Sequence, residues 1–62
     1  MLMLSQVMIS NPEVESFDDL ILLVKEYARR GEMHLRFDVK PQYTDTPNDW
    51  EDRLEAAFSS RY

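Results

Sequence analysis

The chain has 62 residues, with 12 acidic side chains against 7 Lys and Arg, and a formal net charge of -5 at pH 7. This charge repels phosphate backbones and therefore disfavours direct binding of DNA or RNA, whereas it suits a protein partner with a basic surface. The absence of cysteine excludes disulfide bonds, thiolate metal sites and a cysteine nucleophile. A domain this short buries only about 60% of its unfolded surface, so we expect an oligomer or a chain that a partner completes.

The N-terminal apolar segment, MLML, is too short for a signal peptide and lacks its positive flank and cleavage site. No apolar run approaches the length of about 20 residues that a membrane-spanning helix needs. We therefore expect one small domain over residues 1–62 that is soluble and cytoplasmic and has no membrane contact.

The first predicted element is the apolar segment LMLSQVMI, residues 2–9, whose only polar positions are Ser5 and Gln6. Turn-forming residues follow at positions 10–12. Such a run is typical of a strand buried on both faces, although periodicity alone does not separate a strand from a short buried helix. We predict a strand here.

The segment SFDDLILLVKEYARR, residues 16–30, carries the strongest pattern in the chain. Ser16 with Asp19 three residues later matches a capping box, and Gly31 suits the left-handed end of a helix. One helical face carries the apolar side chains Phe17, Leu20, Ile21, Val24, Tyr27 and Ala28. These features predict an amphipathic helix on which the rest packs. Leu22 points away from this face, either into solvent or towards a partner.

A clear alternation of apolar and polar residues follows Gly31. The apolar positions are Met33, Leu35, Phe37 and Val39, and the polar positions are Glu32, His34, Arg36, Asp38 and Lys40. Period two predicts a strand with one buried and one exposed face, ended by Pro41.

A second helix start is marked by Thr46, by Pro47 at the first helical position and by Asp49. The apolar stripe that follows consists of Trp50, Leu54, Ala57 and Phe58. We predict a helix from Pro47 to Ser59 or Ser60.

The predicted fold is α+β with the order strand, helix, strand, helix. Two strands joined through a helix are expected to be parallel neighbours with a right-handed crossover. Two strands packed by two amphipathic helices leave both strands as edges. A homodimer that pairs two such edges would extend the sheet to four strands.

The exposed face of the second predicted strand carries His34, Arg36 and Asp38. A general base, an anion clamp and an orienting carboxylate could be built from this trio, and a small enzyme or ligand binder is one alternative function. No nucleophile or glycine-rich phosphate loop lies nearby, and any half-exposed strand alternates in this way. We therefore predict that the chain is not an enzyme. With a single histidine and no metal-ligand spacing, we also expect no metal and no cofactor.

The carboxylates form two groups, one around each predicted helix start. The first group is Glu13, Glu15, Asp18 and Asp19, and the second is Asp45, Asp49, Glu51, Asp52 and Glu55. Acidic residues favour helix starts for electrostatic reasons alone. They would also allow the protein to imitate spaced phosphates on a nucleic-acid-binding protein.

These patterns favour a protein-interaction module that regulates or inhibits another protein with a basic surface. The candidate contact residues are Leu22, His34, Arg36, Asp38, Tyr43, Asp49, Glu51, Asp52, Glu55 and Tyr62. The two tyrosines are included because they lie in a polar linker and at the chain end. In size, acidity and lack of enzymatic motifs, the chain is similar to phage and mobile-element products that block host proteins. A structural subunit of a larger assembly, such as a virion, is a further alternative.

Overall fold

A computed structural model of the chain describes residues 2–59. The elements are β1 (Leu2–Met3), α1 (Leu4–Ser10), α2 (Phe17–Arg29), β2 (Leu35–Arg36) and α3 (Trp50–Ser59). The two strands pair in parallel, with Leu2 opposite Leu35 and Met3 opposite Arg36. The predicted α+β class and parallel pairing are therefore confirmed, but the described residues form three helices rather than two.

The prediction of one strand across residues 2–9 is wrong, because the strand ends at Met3 and the chain continues as α1. Leu4 and Val7, three residues apart, are 0% and 1% exposed, whereas Ile9 is 73% exposed. This is helical spacing, since a strand directs successive side chains to opposite faces. The helix places two apolar side chains in the core and leaves Gln6 in solvent.

The predicted helix over residues 16–30 is confirmed as α2. The Ser16 hydroxyl accepts a hydrogen bond from the Asp19 N–H at 3.1 Å, as expected for a helix cap. Of the predicted apolar stripe, Phe17, Leu20, Val24 and Ala28 are buried, and Ile21 and Tyr27 are half-buried. The capping residue and the apolar stripe of this segment therefore predict both the start of the helix and the face that it buries.

Gly31 ends α2 in the way its residue type predicts. Its φ of 103° lies in the left-handed region, which glycine adopts without steric cost. The Gly31 N–H donates to the Ala28 carbonyl at 3.1 Å and the Glu32 N–H donates to the Tyr27 carbonyl at 3.3 Å. This pair of bonds is a Schellman motif, and it satisfies carbonyls at the helix end.

The long strand predicted from the alternation after Gly31 is wrong in length, because only Leu35 and Arg36 form a ladder. The physical reason is the partner strand: β1 has two residues before the chain turns into α1. Met33 is 65% exposed and Val39 is 40% exposed. The outer parts of the alternating segment therefore do not have the buried face that the pattern predicts.

The second predicted helix begins at Trp50 rather than at Pro47. Thr46 does not cap it, because its hydroxyl accepts from the Tyr43 N–H at 3.2 Å and its own N–H donates to the Tyr43 carbonyl. These bonds hold Thr46 in a turn. The Asp49 carbonyl instead accepts the Arg53 N–H at 3.1 Å, so the first helical hydrogen bond starts from Asp49.

A single hydrophobic cluster, to which α1, α2 and α3 all contribute, holds residues 2–59 together. Its buried members are Leu4, Val7, Phe17, Leu20, Val24, Ala28, Leu54, Ala57 and Phe58. The Phe37 ring meets the Trp50 ring edge to face, with centroids 5.9 Å apart. This contact joins the end of β2 to the start of α3.

Candidate interaction site

The trio His34, Arg36 and Asp38 is exposed, but Asp38 is engaged elsewhere. Its carboxylate accepts the Ser5 N–H at 3.0 Å and also the Ser5 hydroxyl, and so caps the start of α1. The side-chain and backbone hydrogen bonds from Ser5 lower the pKa of Asp38, and the charge of Arg36 adds to this effect. The carboxylate therefore has a structural role that its exposed position in the sequence pattern did not predict.

Asp45 does the same for α2. Its carboxylate accepts the Phe17 N–H at 2.7 Å and the Asp18 N–H at 3.4 Å. These bonds, that of Phe17 above all, lower the pKa of Asp45. The sequence pattern groups Asp45 with the acidic residues of the second predicted helix. No local signal links it to Phe17, since 28 positions separate the two residues.

Because both carboxylates have a lowered pKa in the folded chain, we expect stability to depend on pH. The ordinary pKa is 3.8, so the contribution is complete above that pH and is lost as the pH falls through the lower folded values. Urea unfolding at pH 6 and pH 3, followed by Trp50 fluorescence, measures the loss. The double variant Asp38→Asn/Asp45→Asn should show a smaller loss between the two pH values than the parent.

The matched control for this pH experiment is Asp52→Asn, because Asp52 is exposed and its carboxylate accepts no hydrogen bond within residues 2–59. It should retain the pH dependence of the parent. An unchanged pH dependence in the double variant would contradict the capping role of the two aspartates.

A groove of about 650 Å³ lies between residues 33–37, which we call the β2 segment, and the C-terminal half of α3. It is lined by Met33, His34, Leu35, Arg36, Phe37, Glu55, Phe58 and Ser59. Five of these residues are consecutive, so side chains from both faces of the strand reach the groove. Neither residue of β1 lines it. The groove therefore follows the outer edge of β2, and we call it the edge groove.

An acidic row lies beside the edge groove on α3. Glu51, Asp52 and Glu55 are exposed, and none of them forms an ion pair within the described residues. Glu51, Glu55 and Ser59 are spaced by four and therefore lie above one another on the helix. Since Glu55 and Ser59 line the edge groove, the row leads into it. Asp49 differs from the others, because its carboxylate pairs with Arg53 at 2.9 Å.

The remaining predicted contact residues lie outside the edge groove. Leu22 is 64% exposed, on the side of α2 away from the core. Tyr43 is half-buried against the core, and this burial raises its pKa. Tyr62 lies outside the described residues. The structure thus brings His34, Arg36 and Glu55 to one groove and leaves Leu22 and Tyr43 elsewhere.

Within residues 2–59, no three His, Asp or Glu side chains are grouped closely enough to hold a metal ion. In the same part of the chain, no helix has the length and apolar character to cross a bilayer. No protein-family model, curated protein or solved structure matches the chain.

Proposed function

We propose that the protein is a cytoplasmic interaction module that binds another protein with a basic surface and regulates or inhibits it by occupying that surface. The observation that carries this proposal is the acidic row of Glu51, Asp52 and Glu55, which leads into the edge groove without internal ion pairs in residues 2–59. Unpaired carboxylates on a rigid helix attract a basic surface and raise the association rate. A partner that ordinarily binds nucleic acid has such a surface.

The edge groove supplies contact area beside the charged acidic row. Met33, 65% exposed, lies at one end of the strand wall, and Leu35 and Phe37 are half-buried along it. Protein interfaces commonly combine an apolar centre with a charged rim. The acidic row and the edge groove together have this arrangement.

The contacts of Asp38 do not support an enzyme site built on His34, Arg36 and Asp38. Its orienting carboxylate, Asp38, caps α1 through two hydrogen bonds from Ser5. Within residues 2–59, no hydrogen bond joins this carboxylate to His34. His34 and Arg36 instead line the edge groove.

The proposal is tested by capturing partners on the immobilised chain and quantifying them by mass spectrometry. Glu51→Lys/Glu55→Lys should reduce recovery of a specific partner on the order of tenfold, since each lost attraction and new repulsion is worth up to about 1 kcal/mol. The control is Glu13→Lys/Glu15→Lys, which changes the net charge equally at exposed positions away from α3.

The control should retain binding, and the parent complex should weaken as salt is raised. Equal losses in the two double variants would show that overall charge, rather than the acidic row, holds the partner. Failure to recover any salt-sensitive partner would contradict the proposal.

A further inference from the structure

The outer edge of β2 carries backbone groups that the sheet does not pair. The Leu2 N–H donates to the His34 carbonyl at 3.0 Å, and Leu2 lies opposite Leu35. In a parallel ladder with this register, the N–H and C=O of Leu35 point away from β1. The sheet has only the two strands β1 and β2 within residues 2–59. Such an edge is a template for one more strand.

The edge groove has two chemically different walls. Leu35 and Phe37, two positions apart, both pack against the hydrophobic cluster, and the Phe37–Trp50 contact shows that this face of the β2 segment is turned towards α3. The α3 side adds Glu55 and Phe58, which makes this wall apolar and acidic. The opposite face presents His34 and Arg36, and the Arg36 guanidinium gives that wall a positive charge.

Resting on the proposed function, we propose that the edge groove binds an extended segment of the partner protein, which adds as a third strand beside β2. Backbone hydrogen bonds to Leu35 would supply affinity, and alternate side chains would supply specificity. Side chains directed towards α3 are apolar or basic, because they meet Phe58 and Glu55. Those on the other side are acidic, because they meet Arg36.

A second copy of this chain matches the groove less well. Pairing β2 with β2 around a two-fold axis at Leu35 would place Arg36 of each copy directly opposite His34 of the other, so that no carboxylate lies directly across from Arg36. Opposite charges across neighbouring strands are stabilising. A partner segment with an acidic side chain opposite Arg36 is therefore the better match.

The test uses a displayed library of linear peptides of about eight residues, the length of an ordinary strand, selected against the full chain. We expect enriched peptides to alternate apolar or basic residues with acidic residues. Each peptide is then made twice, with N-methyl groups on one or the other alternate set of backbone nitrogens. One set should lower affinity at least about tenfold and the other should not, because only one set faces β2.

The protein side of the test compares Glu55→Lys with Glu13→Lys. Both residues are exposed, but only Glu55 lines the edge groove. Glu55→Lys should lower the affinity for peptides with a basic residue on the α3 side about tenfold, and Glu13→Lys should change it less than about threefold.

Three results would overturn the inference: no enrichment, peptides that tolerate both methylation patterns, or equal effects of the two charge variants. A captured partner that depends on Glu51 and Glu55, while no strand-forming peptide binds, would remove this inference and leave the proposed function standing. Loss of the captured partner as well would remove both.

Discussion

Leu20→Ala is expected to lower the free energy of unfolding by about 2–5 kcal/mol. The Leu20 side chain in α2 is completely buried in the hydrophobic cluster, so truncation leaves a cavity in the core. A chain of 62 residues has a total stability of only about 3–9 kcal/mol at the usual value per residue. Urea unfolding followed by far-ultraviolet circular dichroism should show a large part of this stability lost.

The matched control is Leu22→Ala in the same helix. Leu22 is 64% exposed, and alanine is the stronger helix former, so the change should be within about 0.5 kcal/mol. A loss in Leu22→Ala as large as in Leu20→Ala would mean that Leu22 is buried in solution, which would identify an interface on the outer side of α2.

The second large effect is expected for Leu4→Ala, at about 2–5 kcal/mol. Leu4 begins α1 and is completely buried. Ile9→Ala is its control, because Ile9 lies on the exposed side of the same helix. That substitution should be neutral or slightly stabilising, since alanine has the higher helix propensity. The same urea unfolding experiment measures both variants.

This pair of variants also separates the helix from the strand predicted for residues 2–9. A strand buried on both faces would make Ile9→Ala costly, at about the value for other buried large-to-small changes. A helix exposes Ile9 and buries Leu4 and Val7. A costly Ile9→Ala would therefore contradict α1 as described.

Local signals predicted α2 well because both of its ends are encoded within the helix and its immediate neighbours. Ser16 caps the start and Gly31 ends it. They failed for residues 2–9 because the segment is apolar at nearly every position, so its composition does not distinguish period two from period 3.6. The helix there is supported by a distant residue: Asp38, 33 positions away, accepts the Ser5 N–H in the first turn.

The candidate site was predictable only in part, for a similar reason. Helical spacing placed Glu51 and Glu55 on one face of α3 without any tertiary information. The edge groove was not predictable, since it depends on how early the chain leaves β1 and on where α3 lies beside β2. The length of β2 is set by its partner strand rather than by its own alternation.

The caps supplied by Asp38 and Asp45 bear on the order of folding. The ribosome synthesises α1 and α2 before Asp38 and Asp45, whose carboxylates accept hydrogen bonds from the first turns of these helices. These hydrogen bonds join residues 33 and 28 positions apart. They can therefore form only after the segment that follows β2 has emerged, and contacts of such sequence separation form late in folding. We therefore expect the nascent N-terminal half to remain loosely structured on the ribosome and to become ordered together with the rest.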